Sequence, residues 1–327
     1  MTESARTIEE GFQPSSSAQS PSRRALRRFR RNQPAMAGLL ALIAIALVCV
    51  FGPLLSPHPY DRVYRDYVKI APSLAVHPTE AEKSRIVARA AGESEGVVEA
   101  RLQPIVFPLG TDSNGRDLWA RLLIGGRVSL LVGALASAVA LVNGVAYGAI
   151  AGYFGGRVDL VMMRIVDVLY ALPFIFFVIL LIVVLGRSFL LVVAAIGAVE
   201  WLDMARIVRG RALSLKRQDY VLAAEALGVD ARGVLLRHIV PNLIGPVIAY
   251  LTLVAAKVIL LESFLSFLGL GVQEPMTSLG ALIADGARNI EDAPGMLIFP
   301  AALLSALLLA LTLIGEGLSD ALGARER

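Results

Sequence analysis

The segment DYVLAAEALGVDARGVLLRHIVPN, residues 219–242, lies between two long apolar stretches and has the periodicity of two short amphipathic helices. Asp219 can cap a first helix that Gly228 can end, and Asp230 can cap a second helix. One apolar stripe along the first helix follows the spacing i, i+3, i+4, i+7. Its members are Tyr220, Ala223, Ala224 and Leu227. Since half of the stripe is alanine, another surface can approach the helix backbone closely.

An exposed apolar stripe in a polar loop predicts contact with a protein partner or with the membrane surface. Under the second interpretation the helix simply rests on lipid headgroups. Pro241 restricts the backbone of Val240 and marks the point where the next apolar stretch begins.

The composition predicts an all-α polytopic membrane protein. The 327 residues are 56% hydrophobic with a mean hydropathy of +0.66, above the range of soluble domains, and several apolar runs approach the roughly 20 residues that a membrane-spanning helix needs. Strand-type alternation is not sustained, which argues against a barrel. A single cysteine, Cys49, excludes an internal disulfide and a cysteine-based metal site.

Hydropathy and basic residues together predict six spans. They are expected at residues 34–55, 128–153, a third stretch that ends near residue 185 and kinks at Pro173, then 189–208, 243–268 and 296–318. A cluster of arginines precedes the first span: Arg23, Arg24, Arg27, Arg28, Arg30 and Arg31. The positive-inside rule therefore puts both termini in the cytoplasm. Because the cluster abuts a span, lipid contact is favoured over binding of nucleic acid.

These spans divide the chain into five parts. The predicted parts are a basic cytoplasmic tail (1–33), a first transmembrane helix (34–55), an extracytoplasmic segment (56–124), a core of five helices (125–320) with a cytoplasmic loop at about 209–242, and a cytoplasmic tail (321–327). The first apolar stretch has no small-x-small cleavage pattern behind it, so we interpret it as an uncleaved span.

The loop at 219–242 resembles the EAA loop of ABC importer permeases, whose pattern is E-A-A-x3-G-x9-I-x-L-P. Four positions match in register: Ala223, Ala224, Gly228 and Pro241. Three positions depart from the pattern, where Leu222 replaces the Glu, His238 the Ile and Val240 the Leu.

Four further stretches are similar to the dipeptide/oligopeptide importer permeases. They are RRFRRNQPAMAGL (27–39), PLGTDSNGRDLWARLLIGGRVSLLVGALA (108–136), AGYFGGRVDLVMMRIVDVLYALP (151–173) and FLSFLGLGVQEPMTSLGALIADG (264–286). The similarity covers about residues 23–320. It implies a type I ABC importer permease core in the bacterial inner membrane, of the subunit type with an N-terminal leader span.

The resemblance also implies partners and a site. In that family a second, homologous permease completes the pore, two cytoplasmic ATPases dock onto the EAA loops, and an extracytoplasmic binding protein delivers peptides or similar small solutes such as nickel chelates, glutathione or sugars. The residues that would couple this chain to an ATPase are Tyr220, Ala223, Ala224, Leu227, Gly228 and Pro241.

The positions of the lysines agree with ATP binding to separate ATPase subunits. A phosphate-binding P-loop needs Gly-Lys followed by Ser or Thr, and none of the lysines follows a glycine: Lys69, Lys83, Lys216 and Lys257. ATP and Mg²⁺ are therefore expected to bind to partner ATPases, and no cofactor, metal or catalytic residue is expected in this chain. It also has no H-x-x-x-H or G-x-S-x-G motif, which argues against a membrane enzyme.

Ionisable residues in the predicted spans leave two hypotheses open. They are Asp167, Glu200, Asp203, Lys257 and Glu262. An ion-coupled secondary transporter would use Asp167, Glu200, Lys257 and Glu262 as a relay. In a permease the charges would instead be satisfied locally, with Asp203 beside Arg206 and Asp167 beside Arg164. Lys257 and Glu262 are five residues apart, a poor helical pair, so both are candidates for lining the translocation path.

Two loops have alternative interpretations. The stretch GTDSNGRDLWAR, residues 110–121, can bind an anion near Arg116, or form a structural turn in which Asp112 and Asn114 shape the chain and Asp117 caps a helix. The polar outer loop after the fifth span contains Pro275 and several glycines. It suits an outer gate or a docking site for the binding protein, or these residues simply form turns of the loop.

Overall fold

The computed structural model of the chain describes residues 21–89, 98, 102–186 and 188–323. In these ranges the regular structure is helical, with two isolated bridge pairs and no β-strand, which confirms the all-α fold class. Parts of the predicted tails (1–20 and 324–327), of the predicted extracytoplasmic segment (90–97 and 99–101) and Arg187 lie outside the described residues.

The chain opens with two helices, α1 (Pro21–Arg31) and α2 (Gln33–Leu55). Asn32 separates them and caps α2, because its side-chain oxygen accepts a hydrogen bond from the Ala35 N–H at 3.1 Å. Helix α2 coincides with the predicted first span. The arginines of α1 from Arg24 onward are exposed, whereas Phe29 on the same helix is buried, so α1 presents a basic surface beside the membrane helix.

The described part of the segment after α2 is mostly irregular and includes the short helix α3 (Glu80–Arg89). Its core is aromatic: the Phe107 ring lies 5.5 Å from the Tyr64 ring and 5.6 Å from the Tyr67 ring, centroid to centroid, and Phe107 is fully buried. The Thr111 N–H donates to the Ile70 carbonyl at 3.1 Å. The segment is therefore folded against the start of the next helix.

Helix α4 (Leu118–Phe154) is 37 residues long. At 1.5 Å per residue it extends about 55 Å, well beyond a hydrocarbon core of about 30 Å. Asp117 caps it, accepting from the Trp119 N–H at 2.9 Å. The helix therefore begins at Leu118, before the predicted start of the span at residue 128.

The third predicted span is broken into two helices, α5 (Gly156–Tyr170) and α6 (Phe174–Leu185), which are bent by 80°. The break falls at the predicted kink, since Pro173 follows α5 and precedes α6. Gly155 and Gly156, with φ of 64° and 53°, make the turn from α4. Helix α5 begins within that turn, at Gly156, with Gly155 as its cap residue.

Helix α7 (Phe189–Lys216) packs along α4. The contact depends on three glycines of α4 spaced four apart, Gly144, Gly148 and Gly152. A Cβ atom on any of them would lie closer than 3.0 Å to α7, against Met204, the Ala205 carbonyl or the Arg209 carbonyl respectively. Small residues at this spacing let two membrane helices approach closely.

The loop between the fourth and fifth predicted spans folds into α8 (Asp219–Ala226) and α9 (Ala231–Val234). One π-helical turn, Leu235–Ile239, joins α9 to α10 (Val240–Phe267). Helix α10 covers the fifth predicted span. Because the π turn keeps the backbone helical, α9 and α10 form one uninterrupted helical segment.

The last two helices are α11 (Leu279–Arg288) and α12 (Gly295–Gly323). Helix α11 corrects the prediction of a plain polar loop after the fifth span. Ser278 caps it through the Ala281 N–H, at 3.3 Å, and Leu279 and Leu282 are buried in a cluster with Leu307 of α12. Helix α12 also runs past its predicted end at residue 318 and packs against α2 and α10.

The predicted number of six spans stays a prediction. Among the described residues, 4 helices are long and apolar enough to cross a membrane, or 5 spans if the bent pair of α5 and α6 counts as one. Helix α7, the predicted fourth span, carries three charged residues in its middle, Glu200, Asp203 and Arg206.

The glycine contact between α4 and α7 predicts a position-specific loss of stability. Replacing Gly148 with alanine adds a methyl group against the Ala205 carbonyl, and overpacking of this kind costs about 1–3 kcal/mol. We expect a lower melting temperature for the detergent-solubilised protein. Gly210→Ala on α7 is the matched control, since no atom lies within 4 Å of its added Cβ. Equal melting temperatures of the two variants would contradict the close-packing argument.

Candidate functional site

The two helices of the loop between α7 and α10 are held by backbone geometry. Gly228 has a φ of 81°, its N–H donates to the Glu225 carbonyl at 3.0 Å, and the Val229 N–H donates to the Ala224 carbonyl at 3.1 Å. This Schellman arrangement ends α8 as predicted, because glycine adopts positive φ without strain. We name residues 218–239 the coupling loop.

Of the two capping residues predicted for the starts of α8 and α9, one is confirmed. Asp230 caps α9, with its carboxylate accepting from the Gly233 N–H at 3.2 Å, as predicted. The prediction for Asp219 is wrong. Gln218 is the cap residue, Asp219 lies inside the first turn of α8, and no side-chain capping bond forms there. An acidic residue in the first turn still favours the helix through the macrodipole.

The predicted apolar stripe on α8 is divided between two faces. Tyr220, Ala223 and Leu227 are exposed, Leu227 by 86%, whereas Ala224 is buried. The buried face of α8 consists of Ala224 together with Val221, which the stripe did not include. Successive residues are about 100° apart around a helix, so residues i and i+4 differ by about 40°. A stripe of four such residues is therefore wide enough to include both exposed and buried positions.

The coupling loop is attached to the core by polar and apolar contacts. The Tyr153 hydroxyl at the end of α4 donates to Glu225 at 3.1 Å, and Lys216 Nζ donates to the Tyr153 carbonyl at 2.7 Å. Val234 and Ile239 are fully buried in the main hydrophobic cluster. Pro241 stands in the first turn of α10 and is exposed. The loop is therefore a rigid attachment and not a flexible linker.

A second candidate site is a cavity of about 350 Å³ between α7, α10 and the break of α5 and α6. Its walls are mostly apolar, with a charged side formed by Glu200, Asp203 and Lys257. The non-helical turn that contains Pro173 forms part of the wall. Irregular backbone at membrane depth is tolerated where it is buried in protein or lines a water-filled space, and here it lines the cavity.

The charged residues of the spans pair across helices. Lys257 Nζ lies 2.9 Å from Asp203 and 3.0 Å from Glu200. Arg206 lies 2.9 Å from Asp167 of α5, and its guanidinium also lies over the Tyr170 ring at 4.4 Å. The predicted local pairs, Asp203 with Arg206 and Asp167 with Arg164, are therefore wrong, because neighbours on adjacent helices are closer than neighbours along one helix.

Glu262 is not among the residues that line this cavity, and its place on the translocation path stays a prediction. It is completely buried and accepts hydrogen bonds from Ser129 of α4 at 2.9 Å and from Ser266 at 2.7 Å. Ser129 Oγ in turn accepts from the Leu279 N–H of α11 at 3.2 Å. Glu262 thus joins α4, α10 and α11 as a structural carboxyl group.

The loop at 110–117 folds around a buried carboxylate. Asp112 Oδ1 accepts from the N–H groups of Asn114 and Arg116, each at 2.8 Å, and Asp112 also pairs with the guanidinium groups of Arg116 and Arg121. Arg116 reaches further, to Glu274 at 2.8 Å. With its guanidinium held by two carboxylates, Arg116 is not available to a free anion, and the structural-turn interpretation is the one that the contacts support.

The charges of this cluster shift its pKa values. Burial alone would raise the pKa of Asp112, but the Arg121 charge and the hydrogen bonds and charge of Arg116 outweigh burial and hold the pKa below its usual range. The hydrogen bond from Arg116 likewise lowers the pKa of Glu274. Both carboxylates are therefore ionised at neutral pH and bind the loop before α4 to the loop before α11.

Two family descriptions match the chain. Residues 144–327 match the "Binding-protein-dependent transport system inner membrane component" family, and residues 20–74 match the "N-terminal TM domain of oligopeptide transport permease C". The first match begins within α4 and continues to residue 327. The second match covers α1, α2 and the residues after α2 up to 74.

Curated relatives cover nearly the whole chain. The oligopeptide transport system permease protein OppC of Escherichia coli (strain K12) is 46% identical over 303 residues, 93% of this chain and 91% of the relative. The OppC of Haemophilus influenzae is 43% identical, covering 93% of this chain and 88% of the relative. The dipeptide transport system permease protein DppC of Bacillus subtilis is 37% identical, covering 93% and 85%.

The buried Asp112 predicts a pH-dependent effect on stability. Asp112→Asn leaves the buried Arg121 guanidinium without its carboxylate and Arg116 with Glu274 alone, and breaking a buried ion pair costs about 3–5 kcal/mol. We expect a lower melting temperature than wild type at neutral pH.

The sign of the pH dependence follows from the lowered pKa. The stabilisation by Asp112 is complete above about pH 4, the usual aspartate value, and it is lost as the pH falls through the lower folded-state pKa. The difference in melting temperature between wild type and Asp112→Asn should therefore shrink in acid. Asp292→Asn, which removes an exposed pair with Lys69, is the control and should change little. A gap that stays constant into acid would contradict the assignment.

Proposed function

This chain belongs to the family of inner membrane components of binding-protein-dependent transport systems, and from that premise we propose that it imports peptides as one of two pore-forming subunits. The chain is a permease of an ABC importer and not itself an enzyme. The proposal of peptides rests on the names of the relatives, which are oligopeptide and dipeptide permeases. The same names favour the importer over an ion-coupled transporter.

The ionisable residues do not form the relay that ion coupling would use. Asp167 is paired with Arg206, whereas Glu262 is enclosed by serines of α4 and α10. Glu200 and Lys257 pair with each other. The charges thus belong to separate local clusters and not to one continuous chain of groups.

The coupling loop is the proposed contact with a cytoplasmic ATPase. One observation carries this proposal: α8 turns Val221 and Ala224 into the core while Tyr220, Ala223 and Leu227 stay exposed. Exposed apolar side chains on a rigid helix are the features of a protein-binding face. ATP and Mg²⁺ would bind to that partner, in agreement with the absence of a Gly-Lys motif in the sequence.

Movement at the coupling loop has a direct route to the cavity. The loop joins α7, which carries Glu200 and Asp203, to the continuous segment of α9 and α10, which carries Lys257. Along that segment Lys257 lies about 40 Å from Ala231, at 1.5 Å per residue. A displacement of the loop by the ATPases would therefore shift α7 relative to α10 and rearrange the ion pairs of the cavity.

A second permease subunit is proposed from the exposure of the cavity. Lys257 is 48% exposed in the isolated chain although it lies in the middle of a span. A charge that faced lipid there would be costly, so another protein surface is needed to enclose it. The homologous second permease of such importers would supply that surface and the other half of the pore.

The proposed topology has six spans, with α7 as the fourth, and both termini in the cytoplasm. The exposed arginines of α1 support a cytoplasmic N-terminus. An extracytoplasmic binding protein would then meet the opposite side, where the segment after α2 and the loop with Glu274 are held together by the Asp112 cluster.

The docking proposal predicts a separation of folding from coupling. Ala223→Arg changes an exposed residue, so the chain should insert and melt like wild type. Uptake and substrate-stimulated ATP hydrolysis by the assembled transporter should be lost. Val221→Arg is the matched comparison, because it buries a charge and should reduce the amount of folded chain itself. Normal uptake by Ala223→Arg would count against the docking face.

The energy source gives an independent prediction. Uptake into proteoliposomes that contain the complete transporter should require ATP on the cytoplasmic side and persist when an ionophore collapses the proton gradient. The measurement is accumulation of a labelled peptide with and without the ionophore. Uptake that follows the gradient and ignores ATP would overturn the importer mechanism.

A further inference from the structure

The cavity beside the break of α5 and α6 has an excess of negative charge. Its lining includes Glu200 and Asp203 but a single cation, Lys257. The nearby Arg206 is matched by Asp167 and adds no net charge. Beside apolar walls, an uncompensated negative charge favours a cation more strongly than it would in bulk water.

One carboxylate of the cavity has an unused acceptor. Glu200 is 2% exposed, and within the part of the chain that the structure describes its Oε2 atom accepts no hydrogen bond. The Lys257 ammonium is 3.0 Å from that oxygen but is aligned with Asp203, to which it donates at 2.9 Å. Buried polar atoms are rarely left without a donor, so the Glu200 oxygen marks a place where a donor is expected.

Resting on the proposed function, we propose that Glu200 and Asp203 form a subsite for the positively charged end of the imported solute, the α-ammonium group of a peptide. The Lys257 ammonium occupies this subsite in the present structure. Lysine and a peptide N-terminus both present an –NH₃⁺ group with three donors, so one can replace the other between the same two carboxylates.

The remainder of the cavity suits the rest of a peptide. Leu169, Leu172, Phe177 and Leu261 give it apolar walls that accept side chains of many shapes. Lys257 is about half exposed and has a long flexible stem, so it can withdraw from the carboxylates and pair with a peptide carboxylate instead. A shift of α7 relative to α10 would release it, which links the exchange to movement of the coupling loop.

The test compares two peptides in the complete transporter, reconstituted with its ATPases and binding protein. The probes are trialanine and N-acetyl-trialanine, in which acetylation replaces the α-ammonium group by a neutral, slightly larger amide. The readout is the ratio of their uptake rates at saturating concentration. The binding protein is the same in every sample, so a change in this ratio between permease variants reports on the permease.

The two sides of the subsite should change the ratio in opposite directions. Asp203→Asn removes an acceptor and a charge, and should lower the preference for the free amine about tenfold, as expected for loss of a charged hydrogen bond. Lys257→Gln removes the tethered competitor and should raise that preference severalfold. Asp320→Asn is the control, because Asp320 is an exposed carboxylate of α12 that does not line the cavity.

The outcomes separate the subsite from the function on which it rests. If wild type imports the peptides and the ratio is unchanged in both Asp203→Asn and Lys257→Gln, the subsite is refuted and peptide import stands. If wild type imports neither peptide, peptide import fails and the subsite falls with it. Should Asp203→Asn not assemble, Glu200→Gln has the same expected direction, and Lys257→Gln still has the opposite one.

Discussion

The ion pairs of the Lys257 ammonium with Glu200 and Asp203 connect the cavity of this permease to the two helices that flank the coupling loop. Charge inside a membrane is costly unless it is paired or wet, so the cluster fixes the distance between α7 and α10 and keeps the neighbouring cavity polar on one side. The same two helices flank the coupling loop. A single electrostatic constraint therefore connects the surface proposed to receive the ATPase with the space proposed to receive the solute.

Two other contacts set what can move. The glycines of α4 bring α7 into backbone contact, and Glu262 with its serines ties α10 to α4 and α11. Near the opposite end from the coupling loop, Asp112 and its two arginines hold the loops before α4 and α11 together. The contact of α7 with α10 around Lys257 differs from these, because it consists of ion pairs beside a cavity.

Much of this arrangement was predictable from the sequence, and apart from the cap at Asp219 the failures concern contacts between helices. Local signals correctly predicted the C-terminal end of α8 at Gly228 and the start of α9 at Asp230. A glycine at positive φ and a capping carboxylate both act within a few residues. Spacing along one helix did not identify the partners of Asp203 and Asp167, because those partners lie on other helices. Nor could periodicity tell which side of α8 packs inward, or that α11 buries its apolar face against α12.

The cavity lies beside the break between α5 and α6, and the backbone chemistry of proline explains why the break is there. Pro173 cannot donate to a helix ladder, so the turn around it leaves backbone groups without helical partners. Irregular backbone is stable at membrane depth only beside water or protein, and here the turn lines the same cavity as the carboxylates of α7 and the ammonium of α10. Water that filled this cavity would reach both the irregular backbone and the charged cluster. A solute that displaces this water must then offer donors of its own, and a charged amino group supplies three where the Glu200 oxygen lacks one.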